Sequence, residues 1–69
     1  SNEEKKQMML NHLHDLAALK GEYAAVREMR KHVGWYIKGV PGASSLRGTI
    51  NQLTELKDLE NAIIQIWDK

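Results

Sequence analysis

The sequence predicts an all-α protein, a compact four-helix bundle with helices near residues 3–20, 22–38, 43–53 and 54–67. Three observations predict this fold: apolar residues recur at spacings of three and four, no stretch alternates as a strand would, and glycine or proline interrupts the pattern at helix-length intervals. The chain has 69 residues, of which 42% are hydrophobic and 28% are charged. It therefore has the size of one small domain and the composition of a globular protein.

The first predicted helix carries its apolar residues on one face, which consists of Met9, Leu10, Leu13, Leu16 and Ala17. Gly21 supplies the stop, because glycine adopts the left-handed conformation at low cost. Ser1 and Asn2 resemble a scar left by protease cleavage, so we take the helical domain to span residues 3–69. A fragment that begins abruptly after such a scar is expected to be cut from a larger protein.

The remaining three helices are separated by turn residues. The second ends before Gly39, and Val-Pro-Gly at residues 40–42 forms the next turn. The third begins at Ala43 or Ser44 with a serine hydroxyl as its cap, and the last takes Thr54 as its cap. Their core faces consist of Leu46, Ile50 and Leu53, and then of Leu56, Leu59, Ile63 and Ile66. Short connections favour antiparallel neighbours, as in a bundle.

Several kinds of chemistry are excluded or unsupported. The chain has no cysteine, which rules out a disulfide framework, a thiolate zinc site and a cysteine nucleophile. His12 and His14 are two residues apart on a helix and point in nearly opposite directions, so they cannot share a metal. We expect no catalytic residue, metal or cofactor in this chain. Apolar runs are short and no signal peptide is visible, so we expect a cytoplasmic protein without membrane contact.

Charge is unevenly distributed along the chain. The net charge is +1, but residues 27–47 contain five cations and one acid, whereas residues 54–69 contain four acids and two lysines. At 100° per residue, Arg27, Lys31 and Lys38 of the second helix fall on one stripe with Gly34 between them. We call these three cations the basic stripe. It faces away from the predicted core arc, which consists of Ala25, Val26, Met29, Val33, Tyr36 and Ile37.

Each residue in this stretch has a plainer structural interpretation. A cationic stripe is usually only a solvated helix face. Gly34 costs roughly 1 kcal/mol in a helix interior, which indicates close approach either of a sugar-phosphate backbone or of a neighbouring helix. Trp35 is either a platform for base stacking or, as is commoner for a lone tryptophan, a cover for the core. Arg30 lies at the border of the two faces and either pairs with a carboxylate or binds a ligand. Trp67 either covers the core or contacts another domain.

Together these residues resemble the carboxyl-terminal helical domain of bacterial tRNA-dihydrouridine synthases, in their nitrogen-regulation-protein-like subgroup. The resemblance is carried by residues 27–39 (REMRKHVGWYIKG), 41–43 (PGA), 46–47 (LR) and 50–51 (IN), with further similarity at His14, Leu19, Gly21 and Glu22. In that family an amino-terminal (β/α)8 barrel holds FMN and reduces a uridine of tRNA with electrons from NADPH. The helical domain helps to grip the tRNA.

The resemblance implies a tRNA-binding module rather than an enzyme, because no part of this chain looks like the FMN-binding barrel. The implied partners are tRNA and an amino-terminal barrel of the same parent chain; FMN and NADPH are implied for the parent enzyme only. The predicted RNA-binding residues are Arg27, Arg30, Lys31, His32, Trp35, Lys38 and Arg47. Tyr36 also matches the family's motif, but its place on the core arc predicts a structural role.

One rival hypothesis remains open. On this alternative the chain is a protein-interaction module, whose basic face docks an acidic partner or whose Trp67 and apolar remainder dock the missing catalytic domain.

Overall fold

The computed structural model describes residues 1–67, and these residues form four α-helices. The helices are α1 (Asn2–Lys20), α2 (Glu22–Tyr36), α3 (Ala43–Ile50) and α4 (Leu56–Gln65). No strand occurs within residues 1–67. The predicted all-α four-helix bundle is confirmed.

The first helix begins with a capping box. The Ser1 hydroxyl oxygen accepts a hydrogen bond from the Glu4 backbone N–H at 3.2 Å, and the Ser1 ammonium donates to Glu4 Oε1 at 3.0 Å. These bonds satisfy donors that a helix amino terminus leaves free, so α1 begins at Asn2. The predicted stop at Gly21 is confirmed: its φ is 87°, and its N–H donates to the Ala17 carbonyl at 2.9 Å.

The second helix ends two residues earlier than predicted. The Lys38 N–H reaches back only three residues, to the Trp35 carbonyl at 3.4 Å, and Gly39 adopts a left-handed φ of 91°. This tighter turn ends α2 at Tyr36. Lys38 therefore lies in the turn that follows the helix, where it is exposed.

The predicted caps of the last two helices are wrong. Gly42, not a serine, occupies the position before α3, with φ 77° and no side-chain cap. Glu55 is extended before α4 (φ −101°, ψ 138°), so Thr54 caps nothing. The predicted bounds 43–53 and 54–67 are too long. Residues 51–55 form the connection between the two helices, and at the end of α4 the Ile66 N–H reaches back only three residues, to the Ile63 carbonyl at 3.3 Å.

The core lies between all four helices. The α1–α2 pair is the most extensive, α4 packs against both of these helices, and α3 packs mainly against α2. The buried residues are Met9, Leu13, Ala25, Val26, Met29, Val33, Ile37, Ile50, Leu59, Ile63 and Ile66. Tyr36 and Trp67 are half-buried and pack against this cluster, as the core interpretation of each predicts.

Candidate nucleic-acid interface

The basic stripe lies on the exposed side of the second helix and its following turn. Val26, Met29 and Val33 turn into the core, whereas Arg27, Lys31 and Lys38 are exposed. Periodicity explains this arrangement, because residues four apart on a helix share a face. An open depression of about 340 Å³ beside the stripe is lined by Ala24, Arg27, Glu28, Arg30 and Lys31.

Gly34 is covered by a side chain from the third helix. A Cβ atom added to Gly34 would lie 3.4 Å from Arg47 Cδ and 4.0 Å from Arg47 Cγ. In the free protein, the group that approaches Gly34 is therefore the apolar stem of Arg47, from the neighbouring helix. The contact brings a fourth cation to the basic stripe. We call Arg27, Lys31, Lys38 and Arg47 together the cationic face.

The one acid within this region is held by a lysine from outside it. Lys20 Nζ, at the end of α1, donates to Glu28 Oε2 at 2.8 Å. This hydrogen bond lowers the pKa of Glu28, with smaller contributions from the charges of Lys20, His32 and Lys31. Within residues 1–67, none of the four cations of the cationic face forms an ion pair with a carboxylate. The face therefore keeps its positive charge.

Arg30 is engaged inside the protein. Its Nη1 donates to the backbone carbonyls of Asn51 and Leu53, each at 2.9 Å. The hypothesis that Arg30 pairs with a carboxylate is therefore wrong for the described residues. Its guanidinium instead donates to backbone carbonyls at the end of α3 and in the connection that follows. A direct contact between Arg30 and RNA stays a prediction.

Trp35 lies on the surface. Its side chain is 71% exposed, so its interpretation as a cover for the core is wrong. The His32 ring packs edge-on against it at 5.1 Å between centroids, and the His12 ring of α1 lies 4.7 Å from His32. The three rings form a partly exposed aromatic cluster beside the cationic face.

Tyr23 is a candidate that the sequence argument missed. It is 70% exposed, and Arg27 Cζ lies 5.4 Å from the centre of its ring. The spacing of four residues between them was the available signal, since such pairs meet on a helix surface. Exposed aromatic rings beside cations suit unstacked RNA bases, which stack on such rings while cations hold the phosphates.

Other kinds of site are not evident in the described part of the chain. Among residues 1–67, no three histidine, aspartate or glutamate side chains are grouped so that they could hold a metal ion. The side chains of His14 and Glu60 are in hydrogen-bond contact, which joins α1 to α4. None of the described helices combines the length and the apolar character needed to cross a membrane.

Comparison with known proteins places the chain in a family. The family model described as dihydrouridine synthase matches residues 1–68. The tRNA-dihydrouridine synthase B of Shewanella oneidensis is 53% identical over 66 residues, which cover 96% of this chain and 20% of that protein. The tRNA-dihydrouridine synthase B of Vibrio vulnificus is 47% identical over 51 residues, covering 74% of this chain and 16% of that protein.

The tRNA-dihydrouridine synthase B of Pseudomonas aeruginosa is 42% identical over 52 residues, covering 75% of this chain and 16% of that protein. The chain thus spans a fifth or less of the length of these curated relatives. No solved structure matches the chain significantly.

Proposed function

The chain belongs to the dihydrouridine synthase family, and we propose that it serves as the helical tRNA-binding domain of a tRNA-dihydrouridine synthase. The names of its relatives identify them as enzymes that act on tRNA. The chain itself offers a cationic surface and no recognisable catalytic constellation among its described residues. Binding is therefore the role that these residues support best.

The observation that carries the proposal is the assembly of the cationic face from two helices. Arg47 of α3 lies over Gly34, between Lys31 on α2 and Lys38 in the turn that follows α2. Arg27 to Gly34 spans seven residues, which is about 10 Å along a helix. Lys38 extends the face beyond this distance, and none of the four cations pairs with a carboxylate within residues 1–67. Such a row of cations suits the phosphates of a nucleic-acid backbone better than it suits a single small anion.

The mode of recognition follows from this chemistry. RNA helices are recognised largely by shape, phosphate and 2′-hydroxyl contacts, so a cationic face needs no code of base contacts. Trp35 and Tyr23 flank the face and are exposed, which suits stacking on bases that are not paired. His32 supports Trp35 from the side through its edge-on contact.

We also propose where this domain lies in its parent protein. It would follow an amino-terminal (β/α)8 barrel of the same parent chain, in a cytoplasmic enzyme that reduces uridine to dihydrouridine with FMN and NADPH. The length of the curated relatives supports a larger parent, since each is at least about five times as long as the matched segment. In this setting the domain would contribute affinity and orientation, while the reduction takes place elsewhere.

The test is a salt titration of tRNA binding. Three or four phosphate contacts predict a slope of about −2 to −4 for the logarithm of the association constant against the logarithm of salt concentration. The double variant Lys31→Ala/Lys38→Ala should reduce the magnitude of this slope by about 1.5 and weaken binding at low salt.

A matched control removes the same charge elsewhere. Lys5→Ala/Lys57→Ala deletes two exposed lysines from α1 and α4, and should leave the slope nearly unchanged. A slope near zero for the wild type, or equal losses in the two double variants, would contradict the assignment of phosphate binding to the cationic face.

A protein-interaction module is the second candidate, and the exposed apolar side chains favour it. Met8 is 58% exposed and Leu19 is 79% exposed, in addition to Trp35. Competition separates the two functions: heparin should displace a partner held by the cationic face, but it should leave a partner held by apolar contacts in place.

A further inference from the structure

We propose that Arg30 is a positioning residue of the RNA-binding surface: it attaches the end of α3 to α2 and thereby places Arg47 over Gly34. The consequence for tRNA affinity rests on the proposed function. The attachment itself does not, because it is a property of the free protein.

The geometry consists of two contacts that are one helical turn apart. Gly34 follows Arg30 by four residues on α2, and Asn51 follows Arg47 by four residues at the end of α3. Arg47 contacts Gly34, while the Asn51 carbonyl accepts from Arg30. The two chain segments therefore run antiparallel, and each contact sets the register of the other.

The attachment is chemically well suited to a helix end. Asn51 is the residue that ends α3, where the negative end of the helix dipole lies, and Leu53 belongs to the connection that follows. Arg30 supplies two hydrogen bonds and a full positive charge to the carbonyls of Asn51 and Leu53. These bonds occupy its Nη1 group, which leaves that group turned toward the protein rather than toward a phosphate.

The third helix depends on such external contacts. It has only eight residues, and isolated helices shorter than about 12 residues are marginal in water. It also packs mainly against α2, and its Ile50 and half-buried Leu46 join the core cluster. Without Arg30, α3 would keep these apolar contacts but would lose the polar bonds that set its rotation and therefore the direction of Arg47.

The test combines a structural measurement with a double-mutant cycle. In the wild type, nuclear Overhauser contacts should join the Gly34 α-protons to the Arg47 δ-protons. Arg30→Ala should abolish them while far-UV circular dichroism shows that the helices remain. If Arg30→Ala fails to fold, Arg30→Met replaces it, because methionine keeps the apolar stem and removes only the guanidinium.

Measurements of tRNA binding then show whether Arg30 acts by positioning Arg47 or by contacting RNA itself. Arg30→Ala and Arg47→Ala should each reduce the magnitude of the salt slope by about 0.7–0.9, the value for one phosphate. The double variant should bind within about twofold of Arg47→Ala alone, because both changes remove the same contact. In an Arg27→Ala background, by contrast, Arg30→Ala should retain its full effect.

Three outcomes would decide against parts of this proposal. Persistence of the Gly34–Arg47 contacts in Arg30→Ala overturns the positioning role. Multiplied losses in the Arg30→Ala/Arg47→Ala variant overturn it as well and make Arg30 a direct RNA ligand. Loss of the contacts with unchanged tRNA binding in every variant supports the attachment of α3 and overturns the proposed function.

Discussion

The substitution Gly34→Ala tests which group approaches this glycine. A Cβ atom there would lie 3.4 Å from Arg47 Cδ, an ordinary van der Waals distance, and its backbone φ is not in the left-handed region. Alanine is favoured over glycine in a helix by up to about 1 kcal/mol. Since Gly34 lies in the last turn of α2, we expect a gain of about 0.5–1 kcal/mol in the free energy of unfolding, or about 2–8 °C in Tm for a domain of this size.

A second glycine offers a matched control. Gly48 lies inside α3, and an added Cβ atom would meet nothing within 4 Å. Thermal unfolding followed by circular dichroism should therefore show a similar rise for Gly48→Ala. The larger change Gly34→Leu should displace the stem of Arg47 and weaken tRNA binding, whereas Gly48→Leu should not.

The refuting result is a specific loss of affinity with the small substitution. If Gly34→Ala weakens tRNA binding about tenfold or more, as the loss of a good polar contact would (about 1.4 kcal/mol), while Gly48→Ala does not, the RNA backbone itself approaches Gly34. The stem of Arg47 would then not be the group that occupies this position in the complex.

Three further predictions concern stability and exposure. Leu13→Ala, in the core, should cost about 2–5 kcal/mol in the free energy of unfolding, whereas Leu19→Ala, on the same helix but 79% exposed, should change it by no more than about 0.5 kcal/mol; urea unfolding compares them. The pKa of Glu28 is lowered by its hydrogen bond from the lysine at the end of α1, so this pair stabilises the fold above pH 4.5, the ordinary pKa of a glutamate. The stabilisation disappears as the pH falls through the lowered pKa. Glu28→Gln should therefore flatten this part of a plot of Tm against pH. In the variant Trp67→Phe, the remaining Trp35 fluorescence should be strongly quenched by acrylamide, and bound tRNA should protect it; equal quenching with and without saturating tRNA would place Trp35 outside the interface.

The helices and the core could be predicted because they depend on periodicity within one segment. Met9 and Leu13, or Leu59 and Ile63, recur at helical spacing, and all four are buried. The helix ends were harder, since they depend on turn hydrogen bonds such as that from the Lys38 N–H to the Trp35 carbonyl, which no composition rule specifies.

For the site, the sequence could predict which side chains share a face of one helix, but not which residues meet between helices. The helical wheel correctly placed Arg27 and Lys31 away from the core, and it also placed Trp35 outside the core arc. The general preference of tryptophan for burial gave a wrong prediction for Trp35, which is exposed. The partners of Arg30 and Gly34 could not be derived, because they depend on how α3 crosses α2, which involves residues 13 or more positions away.

The short third helix has a consequence for how binding responds to temperature. Arg47 is the cation supplied by the helix least able to persist alone, so any local opening of α3 removes one charge while the α1–α2 pair stays folded. The apparent affinity is scaled by the fraction of molecules in which α3 is docked. Binding should therefore decline at temperatures below global unfolding, and bound RNA should slow hydrogen exchange most strongly in residues 43–50. In such a domain, RNA recognition would be coupled to the docking of α3, its least stable helix.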